Sequence, residues 1–334
     1  MMRLYTVMVF LSLGCVSQVA AGAVPDAIVK DMDAGYFQRA LTQLKPLLAE
    51  HPQDAELQCR DGQALMGIGK SDDAITALKA GVALDPKNGY CHRMLGEAYG
   101  LKVQQGMADG STGMFSAMSL MKSAKGEWES AADLTPNDAQ VHADLAMYYI
   151  MVPGIAGGSY SKAHDQEALI DKLDPIQGLQ TRATEAGNKD DTAQGEALLK
   201  QAVAQDKTTG SLMALGIFYY GAKRYDDAFK TFHEAQAEDP KAYGAWYQIG
   251  KTAGLARGNY DEGIESLKHY LSFTDLPDNQ PTAAWAHLRL GNIYEYQGHA
   301  DLAQTEYQTA RSLNERGDPE LIAQITKAEA RIKK

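Results

Sequence analysis

Four groups of residues are of types that could do chemistry. Cys59 and Cys91 could form a disulfide, and with His92 and His142 they could hold a metal. Met107, Met114, Met118 and Met121 could bind a soft cation such as Cu(I). The run from Pro153 to Lys162, rich in glycine, could aim backbone N–H groups at a phosphate. Spacing removes the last of these. Four residues on from Gly154 come Gly158 and Ser159 rather than Gly-Lys-Ser/Thr, so the run reads as a turn. Pro153 ends a helix there, while Gly157 and Gly158 permit positive φ. Met114, Met118 and Met121 recur at helical spacing and read as packing residues. No nucleophilic triad, carboxylate pair or metal-protease helix can be assembled from spacing, so the chain reads as a non-enzyme with no cofactor and no metal.

The elements that must position these residues are clearest between Thr209 and Pro240. Leu212, Leu215, Gly216 and Tyr219 fall at i, i+3, i+4 and i+7, and after a Gly/Lys break Ala228, Phe232 and Ala235 repeat the spacing. Two amphipathic helices in a hairpin follow. Gly216, Ala228 and Ala235 leave room for close helix contact, and Leu212, Tyr219 and Phe232 fill the space between helices. This slot pattern, closed by Pro240, resembles the tetratricopeptide (TPR) repeat family. The resemblance implies an all-α fold: a right-handed α-solenoid of about seven to eight helical hairpins.

Reading the same slots along residues 24–334 gives a single solenoid. Ala40, Leu44, Leu47 and Pro52 mark a worn first unit, and Pro86 closes the second 34 residues after Pro52. Leu95, Gly96, Tyr99, Ala124, Trp128 and Pro136 mark a third with sixteen extra residues, so an insertion is expected at 101–123. It should lengthen both helices around a Gly-rich tip at 109–113. A five-residue excess in the fourth unit places a second insertion at 151–162, at the same inter-helix turn. The two should meet on one edge, which Met114, Phe115, Met118, Pro153, Gly157 and Gly158 would line. Residues 177–207 are expected to be an irregular unit, with Thr181, Thr184 and Glu185 at apolar or small slots. Two further units follow the reference hairpin, and Pro319 opens a C-terminal capping helix.

In this framework Cys59 and Cys91 lie on the first helices of adjacent repeats. Either they pair, stabilising the fold by roughly 3–4 kcal/mol through loop closure, or they are two small buried hydrophobes. The two histidines occupy the bulky first-helix slot of successive repeats, about 8–10 Å apart. Zn ligands must reach one ion at about 2.0–2.3 Å, so the histidines read as packing residues. The family commonly binds peptides or helices along its first helices. That resemblance points to Cys59, Gln63, Met66, Arg93 and Glu97 in the N-terminal part of the groove, then to Ala143, Met147, Ile150 and Met151. Met213, Ile217 and Tyr220 continue it, followed by Tyr247 and Lys251, and by Leu288, Asn292, Glu295 and Tyr296. A carboxylate clamp of the co-chaperone type would need Lys, Arg and Asn in three successive repeats, and Arg93, Lys251 and Asn292 do not supply it. The apolar centre suits an apolar peptide, a partner helix or the chain's own C-terminal helix.

Residues 1–23 read as a cleaved secretory signal: Arg3, an apolar run from Leu4 to Val16, then Ala21, Gly22 and Ala23. A periplasmic or secreted protein with no transmembrane segment is expected. Cys15 could carry a lipid anchor in an outer-membrane lipoprotein, but Ser12 stands where such signals want an aliphatic residue. Cleavage removes only Arg3 from 32 basic residues, which leaves a net charge of −12 against 43 acidic ones. Nucleic acid is therefore not the expected partner. The expected function is a protein-binding or peptide-binding adaptor in the cell envelope, the alternative a ligand-binding or enzyme-accessory protein acting through the edge at 101–162.

Overall fold

A computed structural model describes residues 24–314 and 317–332, so the signal segment with Cys15 lies outside the described residues. Among these, the secondary structure is entirely helical. Eight antiparallel hairpins stack in chain order. They are α1 (Asp26–Asp33) with α2 (Phe37–Glu50), α3 (Ala55–Gly67) with α4 (Ser71–Leu84), and α5 (Gly89–Ala108) with α6 (Met114–Leu134). Then come α7 (Ala139–Met151) with α8 (Tyr160–Leu173), and α9 (Pro175–Asn188) with α10 (Thr192–Gln205). The last three are α11 (Thr209–Gly221) with α12 (Tyr225–Glu238), α13 (Tyr243–Ala256) with α14 (Tyr260–Ser272), and α15 (Ala283–Tyr296) with α16 (Ala300–Ser312). A single helix, α17 (Pro319–Ile332), closes the stack on α15 and α16, so the eight hairpins and the cap match the sequence expectation.

Local chemistry sets the boundaries. Pro52, Pro86 and Pro136 end second helices, and two residues later Asp54, Asn88 and Asp138 cap the next first helix by accepting backbone N–H bonds. Inside five of the hairpins a small first-helix glycine faces a bulky second-helix residue. A Cβ on Gly216 would lie 2.4 Å from Phe232, and on Gly96 2.5 Å from Trp128. Gly62 meets Leu78, Gly250 meets Leu267 and Gly291 meets Tyr307 in the same way.

The fifth unit corrects the sequence reading. Thr181, Thr184 and Glu185 are not its slot residues: α9 and α10 repeat α11 and α12 at a spacing of 33, which puts Leu179, Ala183, Ala186, Gly195, Leu199 and Ala202 in the core slots. All six are buried. Asp190 and Lys223, also 33 apart, both take φ 59° in the corresponding turns. The unit is regular in backbone, and its register lies two residues earlier than its polar residues suggest.

The two hairpins with extra residues accommodate them differently. Helices α5 and α6 run 20 and 21 residues around a turn at 109–113. The second insertion winds a short 3-10 turn, Gly154–Ala156, followed by Gly157 at φ 103°. Gly158 packs so tightly that a Cβ there would lie 1.6 Å from the Val152 carbonyl oxygen. The insertions turn toward different neighbours. Gln105 bonds back to Gly69 and Ser71 of the second hairpin, whereas Asn188 of the fifth reaches the Ile150 carbonyl (3.0 Å) and the Tyr160 hydroxyl (2.9 Å).

The array also curls until its ends meet. The Asp278 amide donates to the Gly35 carbonyl at 2.8 Å, and Asp278 accepts from the backbone and side chain of Gln38 at 2.9 and 2.8 Å. Arg39 pairs with Asp275 at 2.9 Å. The first hairpin thus joins the loop ahead of the eighth, a contact across about 240 residues of chain.

Candidate partner-binding surface

The chemistry-bearing residues resolve simply. Cys59 and Cys91 are disulfide-bonded, with Cα atoms 5.4 Å apart, tying the second hairpin to the third. His92 and His142 are buried packing residues. Their Nε2 atoms meet the carbonyls of Pro86 (3.1 Å) and Pro136 (2.9 Å), six residues earlier, and Trp246 Nε1 donates to Pro240 in the same slot at 3.2 Å. The shared role is to tie a first helix to the proline turn that precedes it.

First-helix residues form a ridge with three chemical zones. At the N-terminal end it is polar. Arg60 donates to Tyr90, which bonds Gln63, and Arg93 pairs with Glu97 at 2.5 Å. Asp144 accepts from Gln140, which in turn accepts from Gln177. Burial and the neighbouring Asp144 push Glu97 up to about 7 despite Arg93, and burial pushes Asp144 up to about 6.

The middle is apolar. Met151, Ala183, Leu199, Ala214, Ile217 and Phe218 line a depression of about 490 Å³ spanning the fourth to sixth hairpins, with Gln180 and Asn188 at its polar margin. Met151 is 58% and Ile217 47% exposed. A second depression of about 310 Å³, walled by Pro153, Gly154, Gly158 and Tyr160, shares Met151 and Asn188 with it. The inserted turn and the apolar groove are therefore one surface.

The C-terminal zone combines cations with aromatic rings. Lys251 lies over Tyr220 at 4.6 Å and Arg289 over Trp285 at 5.1 Å. Arg289 also donates to the Tyr247 hydroxyl at 3.1 Å. The loop at 278–282 walls a depression of about 390 Å³ beside Tyr247, Trp285 and Arg289. Asn292 accepts from the Tyr307 hydroxyl at 3.0 Å.

Several expected groove residues are corrected by this packing. Cys59, Ala143, Ile150, Tyr247 and Leu288 are buried, because helix-to-helix contacts in this curved stack take the slots a partner would need. Met213, Tyr220, Met147 and Lys251 are half-buried, and Ile217 and Met151 are the apolar residues that face outward. The C-terminal helix extends the stack beyond α15 and α16, where Arg331 pairs with Glu295 at 2.6 Å. On the inserted hairpin Met121 packs inward, whereas Met114 and Phe115 face solvent. They are 64% and 89% exposed, and Met118 lies at the margin of exposure.

One cluster escaped sequence reading. His164, Glu167 and Glu185 bring a ring nitrogen and two carboxylate oxygens within 4.8 Å of one another, and Lys189 donates to Glu185 at 2.5 Å. Burial pushes Glu167 up to about 7, with Glu185 adding to the effect. Burial also opposes ionisation of Glu185, but hydrogen bonds from Lys189 and His164 overcome it and hold Glu185 below its ordinary value. The signal was present in the polarity of Glu185, yet the pairing with Glu167 depends on how two hairpins dock.

The tetratricopeptide-repeat family pattern matches residues 31–88 and 181–243. A structure of IFIT1, a monomeric mutant with Gppp-AAAA, superposes with TM-score 0.54 at 14% identity, over 86% of this chain and 67% of that one. The human IFIT1 dimer with PPP-AAAA gives 0.53 at 16% identity, over 82% and 64%. A tetratricopeptide repeat protein from Parabacteroides merdae gives 0.47 at 15%, over 83% and 98%. A search of curated proteins finds no match to this sequence.

Proposed function

We propose that this chain, whose residues 31–88 and 181–243 match the tetratricopeptide-repeat family, is a non-catalytic scaffold that holds a protein or peptide partner in the cell envelope or outside the cell. The apolar depression around Met151 and Ile217 carries this reading. It crosses three hairpins, stays open to solvent, and is bordered by polar side chains that could orient a bound segment. Export is supported by the pattern of residues 1–23 and by the Cys59–Cys91 bond, which suits an oxidising compartment. The likeness to IFIT1 concerns the fold. A net charge of −11 argues against a polyanionic ligand here.

A photo-crosslinking residue at Ile217, used in the native cells, tests the proposal. One defined partner is expected, and changing Met151 and Phe218 to Asp should abolish the crosslink. Crosslinking that survives those changes refutes the groove as the binding site. A second reading, accessory binding through the inserted edge, is favoured by the exposure of Phe115 (89%) and Ile155 (95%). In that case the crosslink forms from Phe115 and not from Ile217.

A further inference from the structure

Glu167 stands in a slot that the other hairpins fill with bulky apolar side chains. Four residues beyond the small second-helix residue come Leu44, Leu78, Trp128, Leu199, Phe232, Leu267 and Tyr307, and in the fourth hairpin alone a carboxylate. Glu185 is equally out of place. Its position, two residues after the small first-helix slot, is held elsewhere by the uncharged Ala64, Ala98, Tyr148, Phe218, Thr252 and Ile293. Glu167 is 4% exposed and Glu185 5%.

The two anomalies meet. Glu185 on α9 lies 2.9 Å from His164 Nε2, and His164 and Glu167 share one face of α8 at i, i+3. Lys189 satisfies Glu185, and Arg182 is engaged with Asp171. Oε1 of Glu167 is buried and finds no hydrogen-bond partner among the described residues. Two buried carboxylates face one ammonium, from Lys189, and one imidazole, from His164, and a divalent cation would compensate both carboxylates at once. Ligand atoms of one tetrahedral ion stand about 3.4 Å apart, given metal–ligand bonds of about 2.1 Å, so a small contraction of the present arrangement would satisfy one ion.

We propose that His164, Glu167 and Glu185 form a divalent-cation site of the Zn(II) or Mn(II) type, joining α8 to α9, with Lys189 as its displaceable occupant. One imidazole and two carboxylates suit such ions, and three protein ligands leave a position open to water or to a partner's side chain. The Lys189 side chain is 43% exposed, so its ammonium can swing into solvent when the ion enters.

The test is calorimetric titration of the metal-stripped mature protein with ZnCl2 and with MnCl2. One equivalent of at least one ion is expected to bind. Glu167→Gln and His164→Ala should each weaken binding at least about tenfold, and Lys189→Ala should strengthen it. Absence of binding by both ions overturns the proposal, as does an affinity unchanged in Glu167→Gln. If a variant fails to fold, Mn(II) added to the wild-type protein decides by NMR. Selective broadening of the His164 ring signals supports the site, and broadening that spares them refutes it. This inference stands apart from the scaffold reading, since neither experiment depends on the other's result.

Discussion

Glu97 shows how a single residue can set the response to pH. Its folded carboxyl titrates at about 7 against an ordinary 4.5, because burial and the nearby Asp144 outweigh Arg93. The folded state therefore binds more protons than the unfolded state across that window, and this contribution to stability falls as pH rises from about 4.5 to 7. Asp144, raised to about 6, acts in the same direction. Glu97→Gln should flatten the loss: thermal unfolding at pH 5 and pH 8 will differ less in the variant than in the wild type. An equal difference in both would show that Glu97 does not carry it. The position was legible as a first-helix residue, but its burial beside Asp144 was not, because the two lie on different hairpins.

At the scale of elements, the pairing of a small with a bulky residue was readable and its geometry agrees. Gly216 lies against Phe232 so closely that Gly216→Ala forces the ring to move, despite the better helix propensity of Ala. A loss of about 1–3 kcal/mol is expected in denaturant unfolding, whereas Gly221→Ala, where a Cβ meets nothing within 4 Å, should cost far less. Equal effects would refute the packing account. The insertions were legible as excess spacing, since sixteen and five extra residues cannot be absorbed by a fixed hairpin. Their directions were not, because these rest on Gln105 and Asn188 reaching other hairpins. The fifth hairpin was misread for a related reason. Glu185 and Thr181 are polar yet buried, so a slot pattern judged by polarity alone slips by two residues.

For the whole molecule, the decisive contact is the closure between residues 35–39 and 275–278. Its bonds are solvent-exposed, so each contributes roughly 0–1 kcal/mol, and together they are expected to hold curvature more than stability. Changing Asp275 and Asp278 to Ala should raise the radius of gyration in X-ray scattering and speed amide exchange in α1 and α2, with little change in melting temperature. Unchanged scattering would show that curvature comes from the hairpin interfaces alone. By itself the sequence determined the class of fold, a count of about seven to eight hairpins and the packing slots of the hairpins other than the fifth, because each follows from local periodicity and from side-chain size at fixed spacing. Only the tertiary structure decided which groove residues stay exposed, where Glu167 meets Glu185, and that the first hairpin reaches the loop before the eighth. Small rotations between neighbouring hairpins accumulate along the stack, and no local pattern records their sum.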